Sequence, residues 1–116
     1  MLPLLAVEKR IGAAVLYSGG TALHGGLPAS EQVYNYLPRV TQPVLMLNGR
    51  WDIDATPDSQ QRLFELLGSP ADAKKHVAYE AGHGHLPRFQ VEKETLEWFD
   101  RHLGTLAASP PARVPR

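Results

Sequence analysis

The sequence has no cysteine, no excess charge of either sign and no long apolar run. Without cysteine, a disulfide framework and a zinc site built on thiolates are both excluded. Lysine plus arginine and aspartate plus glutamate each total 12, so no electrostatic field draws the chain to nucleic acid or to an anionic membrane. The opening MLPLL is too short for the apolar core of a signal peptide. We therefore expect a soluble, cytoplasmic protein with no nucleic-acid or membrane partner.

The length of 116 residues suits one small domain with a single core. Three segments within it have the character of β-strands, and each is followed by a turn that contains glycine. They are Ile11–Tyr17, Val44–Leu47 and Lys75–Glu80. The middle segment is apolar without interruption, which is typical of a parallel strand covered by helices on both faces. The sequence therefore predicts an α/β fold with three mainly parallel strands and flanking helices.

Two further segments have the periodicity and end signals of amphipathic helices. The first starts with Thr56 as N-cap and Pro57 as first helical residue, and it stops at Gly68. The second spans Arg88–Leu103 and stops at Gly104. Their core-facing residues are expected to recur at helical spacing. These residues are Gln60, Leu63, Phe64 and Leu67 in the first helix, and Leu96, Phe99 and Leu103 in the second, with Trp98 beside them.

Two polar residues each follow one of the predicted strands. Asp52 comes after Val44–Leu47, and His83 comes after Lys75–Glu80, 31 positions later. That interval holds one helix and one strand. With the strand before Asp52, they make a right-handed crossover unit of strand, helix and strand. In an open α/β sheet the working residues lie just beyond the carboxyl ends of the strands. We therefore expect Asp52 and His83 to be neighbours at one edge of the sheet.

An aspartate beside a histidine is a common arrangement in acid–base catalysis, in which the carboxylate orients the imidazole. A histidine that accepts a proton needs a second group to fix its tautomer and to stabilise the imidazolium that forms. For either residue alone, a capped turn or a polar loop is the commoner explanation. Asp52 and His83 stand at equivalent strand ends, each introduced by a glycine. This arrangement favours a functional interpretation over two unrelated loops.

Neighbouring residues leave alternatives open. Asp54, two residues after Asp52, is a second candidate for the acid. His83 and His85 together with Asp52 and Asp54 also resemble metal ligands, but the third histidine of common hydrolase sites is missing, and we predict no metal. His85 is expected at the rim of the site or as a cap of the next helix. His76 and His102 are expected to be structural or solvated. Trp51, Tyr34 and Tyr36 would either line a pocket or fill the core, and core packing is favoured.

The order of these motifs resembles a known family. Gly49-Arg50-Trp51-Asp52 after an apolar strand, then a helix, then Tyr79-Glu80-Ala81-Gly82-His83 and a final helix are similar to the carboxyl half of an α/β-hydrolase. More narrowly, they resemble the branch of dienelactone hydrolases and prolyl oligopeptidases. The resemblance implies Asp52 as the triad acid and His83 as the general base. It covers residues 1–104, and the proline-rich stretch 105–116 is predicted to be a disordered tail.

The family's nucleophile is missing from its expected motif. A G-x-S-x-G turn precedes the acid and the histidine in this family, and no such motif occurs here. Ser18 is the nearest substitute, but Leu16 stands where the first glycine belongs, so Ser18 is expected to be a structural turn. The resemblance places the nucleophile before Met1, which predicts an inactive fragment of a serine esterase that needs no cofactor.

Several expectations about partners follow from this interpretation. The substrate would be a small ester, or a peptide if the relative is of the prolyl oligopeptidase type. A hydrolase-like relic or partner-binding module without activity is the alternative. The strand Ile11–Tyr17 would have an unpaired apolar edge, so self-association through that edge is also expected.

Overall fold

The structure of the protein is a computed structural model, which describes residues 2–20 and 32–104. Within these ranges the chain forms three strands, three α-helices and three short 3₁₀ helices. The strands are β1 (Ala14–Tyr17), β2 (Val44–Gly49) and β3 (Lys74–Tyr79), and the α-helices are α1 (Leu2–Val7), α2 (Pro57–Leu66) and α3 (Arg88–Leu103). The 3₁₀ helices are Val33–Asn35, Leu37–Arg39 and Ala71–Ala73. The predicted tail 105–116 lies outside the described residues, as do residues 21–31.

The strands form one parallel sheet in the order β1, β2, β3. Tyr17 lies opposite Leu47, and Gly49 lies opposite Tyr79, so the carboxyl ends of all three strands reach the same edge. The predicted parallel α/β architecture is therefore confirmed. β1 begins at Ala14 rather than at Ile11, because its ladder with β2 starts where the Ala14 N–H donates to the carbonyl before Val44, at 2.9 Å.

The central strand β2 is buried at all six positions. Its side chains alternate between two core clusters, as the period of a strand requires. Val44 and Met46 face the cluster closed by α1 and α2, whereas Leu45 and Leu47 face the cluster closed by α3. Helices therefore cover both faces of β2, which explains why its sequence is continuously apolar rather than alternating.

The helix α2 begins as its sequence predicts. The side chain of Thr56 accepts a hydrogen bond from the Ser59 N–H at 3.4 Å, and Pro57 is the first helical residue. Leu63 is fully buried and Phe64 packs at the edge of the same cluster, as expected from their spacing. Gly68 follows the helix where a Cβ would overlap the carbonyl group of Pro38, so this close approach requires glycine.

The helix α3 has the predicted bounds, and Phe99 packs against the core as predicted, but the expected burial of Leu96 and Leu103 is wrong. Leu96 and Leu103 are 63% and 58% exposed, whereas Trp98 is 4% exposed and packs on the cluster with Leu45 and Leu47. Val91, two helical turns before Trp98, joins the same cluster. Burial of the large indole therefore sets which face of α3 meets the sheet, and the aliphatic residues that flank it in sequence remain in solvent.

β1 is an edge strand of the described sheet, since it pairs only with β2 within residues 2–20 and 32–104. The N–H groups of Ala14 and Ser18 donate to β2, so the backbone groups of the alternate residues Val15 and Tyr17 point away from the sheet. This is the geometric condition for the predicted self-association, which itself stays a prediction. Among the helices of the described chain, none combines the length and the apolar character needed to cross a bilayer.

Candidate active site

The carboxylate of Asp52 is held by the loop that follows β2. Its Oδ1 accepts hydrogen bonds from the N–H groups of Asp54 and Ala55, at 2.8 and 2.9 Å. The side chain of Gln60, buried at the start of α2, donates to the carbonyls of Gly49 and Ala55 and closes the loop from beneath. The Asp52 side chain is completely buried, so its position is fixed by the fold.

The loop after β3 follows the acid loop closely. The N–H of Arg50 donates to the Tyr79 carbonyl at 2.8 Å, and the N–H of Trp51 donates to the Ala81 carbonyl at 3.0 Å. The contact continues the β2–β3 pairing past the strand ends. A Cβ at Gly49 would overlap the carbonyl oxygens of Ala81 and Gly82, so only glycine permits the two loops to approach.

This approach brings the two predicted residues together. His83 Nδ1 lies 2.7 Å from Asp52 Oδ2. Because an ionised carboxylate only accepts hydrogen bonds, Nδ1 carries the proton in this contact and Nε2 of the neutral ring is left with a free lone pair. The histidine side chain is 47% exposed. The contact predicted from the topology is thus present, and its geometry leaves Nε2 able to accept a proton.

The electrostatics of the pair favour its charged forms. Burial opposes ionisation of Asp52, but the hydrogen bond from His83, the two backbone N–H groups and the nearby imidazole together lower the pKa of this carboxyl below its ordinary value. The hydrogen bond to Asp52 raises the pKa of His83, with partial burial opposing and the charges of Asp52 and Asp54 adding to the effect. The imidazolium that forms on proton uptake would therefore be stabilised where it stands.

The alternative acid, Asp54, and the candidate metal ligands lie at the same site as the Asp52–His83 pair. Asp54 is exposed, and its contribution to Asp52 is a backbone N–H. Ligand atoms of Asp52, Asp54 and His83 lie within 4.8 Å of one another, and His85 is not part of this group. Both oxygens of Asp52 already accept hydrogen bonds, so the contacts present match an acid–histidine pair. His85 is exposed, and the N-cap position of α3 is Pro87, so His85 does not cap that helix.

Ser18 lies beside the pair, which its sequence motif did not predict. Its Oγ accepts a hydrogen bond from the Gly84 N–H at 3.4 Å, and its backbone has φ of +57°. A cavity of about 180 Å³ next to it is lined by Ser18, Gly20, Asp54, Ala55 and His83. The expectation of a turn at Ser18 is consistent with this backbone, but the side chain also forms part of the wall of the site.

Side-chain contacts show where the aromatic residues and the remaining histidines of the sequence analysis lie. Trp51 does not fill the core: it is 65% exposed, and its indole N–H donates to Glu80 Oε2 at 2.8 Å. His76 stacks on Phe64, and burial lowers its pKa, which fits the predicted structural role. His102 likewise packs on the ring of Trp98, and Tyr36 packs against the first core cluster. The side chain of Tyr34 lies outside the described part of the chain.

Gln60 has a role at the site that its sequence pattern did not predict. Its place in the stripe of α2 predicted a core-facing residue, and it is fully buried. A polar amide at a core position must find hydrogen-bond partners, and here the partners are carbonyls of the acid loop. The signal that could have found this role is a glutamine inside an otherwise apolar stripe.

Comparison with family models and with curated proteins gives no match. Solved structures do match. A cold-adapted esterase from an Arctic intertidal metagenomic library is 27% identical with a TM-score of 0.73, over 88% of this chain and 43% of its own. An esterase from Pyrococcus furiosus is 18% identical with a TM-score of 0.73, over 89% of this chain and 50% of its own. The chain has the fold of the carboxyl-terminal part of an α/β-hydrolase.

The α/β-hydrolase fold is shared with a lipase as well. The monoacylglycerol lipase of Paleococcus ferrophilus is 27% identical with a TM-score of 0.54, over 62% of this chain and 29% of its own. The chain therefore spans half or less of the length of each of these enzymes. The similarity supports a relation to esterase-like and lipase-like hydrolases at the level of this part of the fold.

Proposed function

We propose that the chain carries the acid and the general base of a serine hydrolase that cleaves carboxylic esters. Asp52 is the acid that orients the imidazole, and His83 is the base. The observation that carries this proposal is the 2.7 Å contact between Asp52 Oδ2 and His83 Nδ1, made by a buried carboxylate at the carboxyl ends of adjacent strands. The likeness to esterases in fold and sequence supports the choice of ester substrates.

The proposed chemistry uses the free Nε2 of His83. It takes the proton of a serine hydroxyl as the oxygen attacks the ester carbonyl, and Asp52 stabilises the imidazolium. The same proton then passes to the leaving alkoxide, which departs as the alcohol and leaves an acyl-serine. Water, deprotonated by His83, then attacks the acyl group, and His83 returns that proton to the departing serine oxygen as the carboxylic acid is released. No metal or cofactor is required by these steps.

In this proposal the attacking serine is not Ser18. The hydroxyl of Ser18 contacts the backbone of Gly84, and the sequence around it lacks the first glycine of the nucleophile motif. The 116-residue chain by itself is therefore expected to show no ester turnover. Peptides are the second substrate class, and membership of the dienelactone hydrolase and prolyl oligopeptidase branch is a narrower hypothesis within the same proposal.

A graft into a related enzyme tests the roles of both residues. Residues 2–104 would replace the corresponding part of the Arctic esterase, and hydrolysis of p-nitrophenyl butyrate would be measured. We expect activity in the graft, a loss of about 10⁴-fold in D52N and a loss of about 10⁶-fold in H83A, the sizes seen when the acid or the histidine of a triad is removed. D54N is the matched control, because it removes a carboxylate two residues away, and it should keep activity within about tenfold.

The outcomes separate the competing interpretations. Loss of activity in D54N but not in D52N would assign the acid to Asp54. A graft that folds with unchanged circular dichroism but has no activity would favour a non-catalytic binding module. Labelling of Ser18 by a fluorophosphonate probe in the 116-residue chain would contradict the proposal, since it would identify a nucleophile within this chain.

A further inference from the structure

Ser18 has a backbone conformation that its side chain disfavours. Its φ of +57° places it in the left-handed region, where residues other than glycine are strained, and among the described non-glycine residues it alone has a positive φ. Glycine, which adopts this conformation freely, occupies the next two positions instead. Backbone strain of this kind persists where surrounding contacts enforce it, and it is enriched at functional sites.

The hydroxyl of Ser18 contacts the loop that carries His83. Ser18 Oγ accepts a hydrogen bond from the N–H of Gly84, the residue directly after His83, at 3.4 Å. Ser18 is largely buried, although it lies at the end of an edge strand. The strained backbone therefore holds a hydroxyl against the histidine loop at one fixed point.

Tyr17, the residue before it, contacts the same loop. Its hydroxyl donates to the Gly84 carbonyl at 3.4 Å and accepts from the Leu86 N–H at the same distance. One phenol therefore bridges two backbone groups of the histidine loop. Each of the three bonds is long, but all of them act on residues 84 to 86.

The sheet order explains why these contacts matter. β3 and β1 are not neighbours, because β2 lies between them. To reach Tyr17 and Ser18, the loop after β3 must cross the carboxyl end of β2, directly above the acid loop. Gly84 has no side chain to pack at this point, its φ is +79°, and even an added Cβ would meet no atom within 4 Å.

We propose that Ser18 and Tyr17 are positioning residues for His83: their hydroxyls hold the histidine loop over β2, so that the ring stays against Asp52 and Nε2 faces the cavity. The inference rests on the proposed function for its catalytic meaning, but the tether is a property of the chain alone. A half-exposed imidazole with one side-chain contact would otherwise move with its loop. Displacement of about 1 Å is enough to impair an acid–base site.

The tether can be measured in the 116-residue chain without turnover. Amide hydrogen exchange of Gly84 and Leu86 would be followed by NMR in S18A and Y17F. We expect exchange about two- to tenfold faster at Gly84 in S18A, and at Leu86 in Y17F, because each variant removes one acceptor. The titration curve of the His83 ring in S18A and Y17F should also move toward the curve measured in D52N, the variant in which His83 has lost its carboxylate partner.

Matched controls separate positioning from general stability. Y79F removes a phenol that has no hydrogen-bond partner among the described residues, and S69A removes a buried hydroxyl that bonds to Gln42 and Val40 far from the site. S69A should lower the melting temperature while leaving the exchange of Gly84 and the titration of His83 unchanged. Y79F should likewise leave the exchange of Gly84 and the titration of His83 unchanged.

S18G provides a further test, because it removes the hydroxyl and also relieves the backbone strain. We expect S18G to be more stable than S18A, yet to show the same faster exchange at Gly84. Wild-type exchange and wild-type His83 titration in S18A, S18G and Y17F would overturn the proposal. Loosened loops in these variants, found together with an inactive esterase graft, would support the tether and count only against the catalytic assignment.

Discussion

The two halves of the site are built in different ways. The acid loop between Gly49 and Ala55 is buried, and its carboxylate is held by two backbone N–H groups, while Gln60 closes the loop from beneath. The histidine loop is exposed, and the imidazole has one side-chain contact, with Asp52. The fold therefore fixes the acid, whereas the base depends on its contact with Asp52 and on the contacts of its loop with Tyr17 and Ser18.

This difference is suited to proton transfer. In the proposed mechanism Asp52 keeps its charge throughout, and it is the member of the pair in the rigid, hydrogen-bonded position. His83, which would exchange protons with substrate groups in that mechanism, lines the cavity. The comparison predicts that substitutions in the acid loop affect folding, whereas those in the histidine loop affect mainly the chemistry.

The largest expected effect on stability comes from substituting Gly49, which precedes the acid loop, and not Gly82, which precedes His83. G49A should destabilise the chain by about 3 kcal/mol or more, because the added Cβ overlaps backbone carbonyls that cannot move without breaking the β2–β3 pairing. G82A is the control, since a Cβ at Gly82 has no atom within 4 Å, and it should change stability by no more than about 0.5 kcal/mol. Urea denaturation of both variants measures the difference. Equal losses would show that the loops do not approach as described.

A smaller effect is expected from removing either member of the pair. D52A leaves the buried N–H of Ala55 and the partly buried N–H of Asp54 without their acceptor, and it should cost about 2 to 4 kcal/mol. H83A should cost much less, because the histidine is half exposed and its removal leaves Asp52 with its backbone partners. Thermal unfolding of the two variants checks this order. A larger loss in H83A than in D52A would reverse the comparison.

Much of this arrangement could be predicted from local sequence signals. The bounds of α3 and the start of α2 follow from capping residues, and the meeting of Asp52 and His83 follows from two strands joined by one crossover. These features depend on short-range chemistry and on topology, both of which are encoded in residue order.

Other features depend on tertiary packing, which local patterns do not specify. The buried face of α3 is set by Trp98 meeting the sheet, so spacing of aliphatic residues alone misassigned it. The exposure of Trp51 depends on Glu80, a residue of the other loop. The positive φ of Ser18 runs against the preference of its own residue type, and no sequence rule would have assigned it.

The smallest predicted effect is the pH dependence of stability. Because the pKa of His83 is raised in the folded chain, its contribution is present below the unfolded value of about 6.5 and is lost as pH rises through the folded value. Because the pKa of Asp52 is lowered, its contribution is present above about 3.9 and is lost as pH falls through the folded value. The stability difference between wild type and D52N should therefore be largest near pH 5 and smaller at pH 8. A difference that is constant from pH 5 to pH 8 would show that the two groups are not coupled.

NMR titration of the His83 ring nitrogens tests the pairing of Asp52 with His83 most directly. In the wild-type chain we predict that neutral His83 carries its proton on Nδ1 and that its pKa lies above the ordinary histidine value, whereas D52N should return that pKa to the ordinary range or below. A ring that titrates identically in wild type and D52N, or that carries its proton on Nε2, would contradict the account.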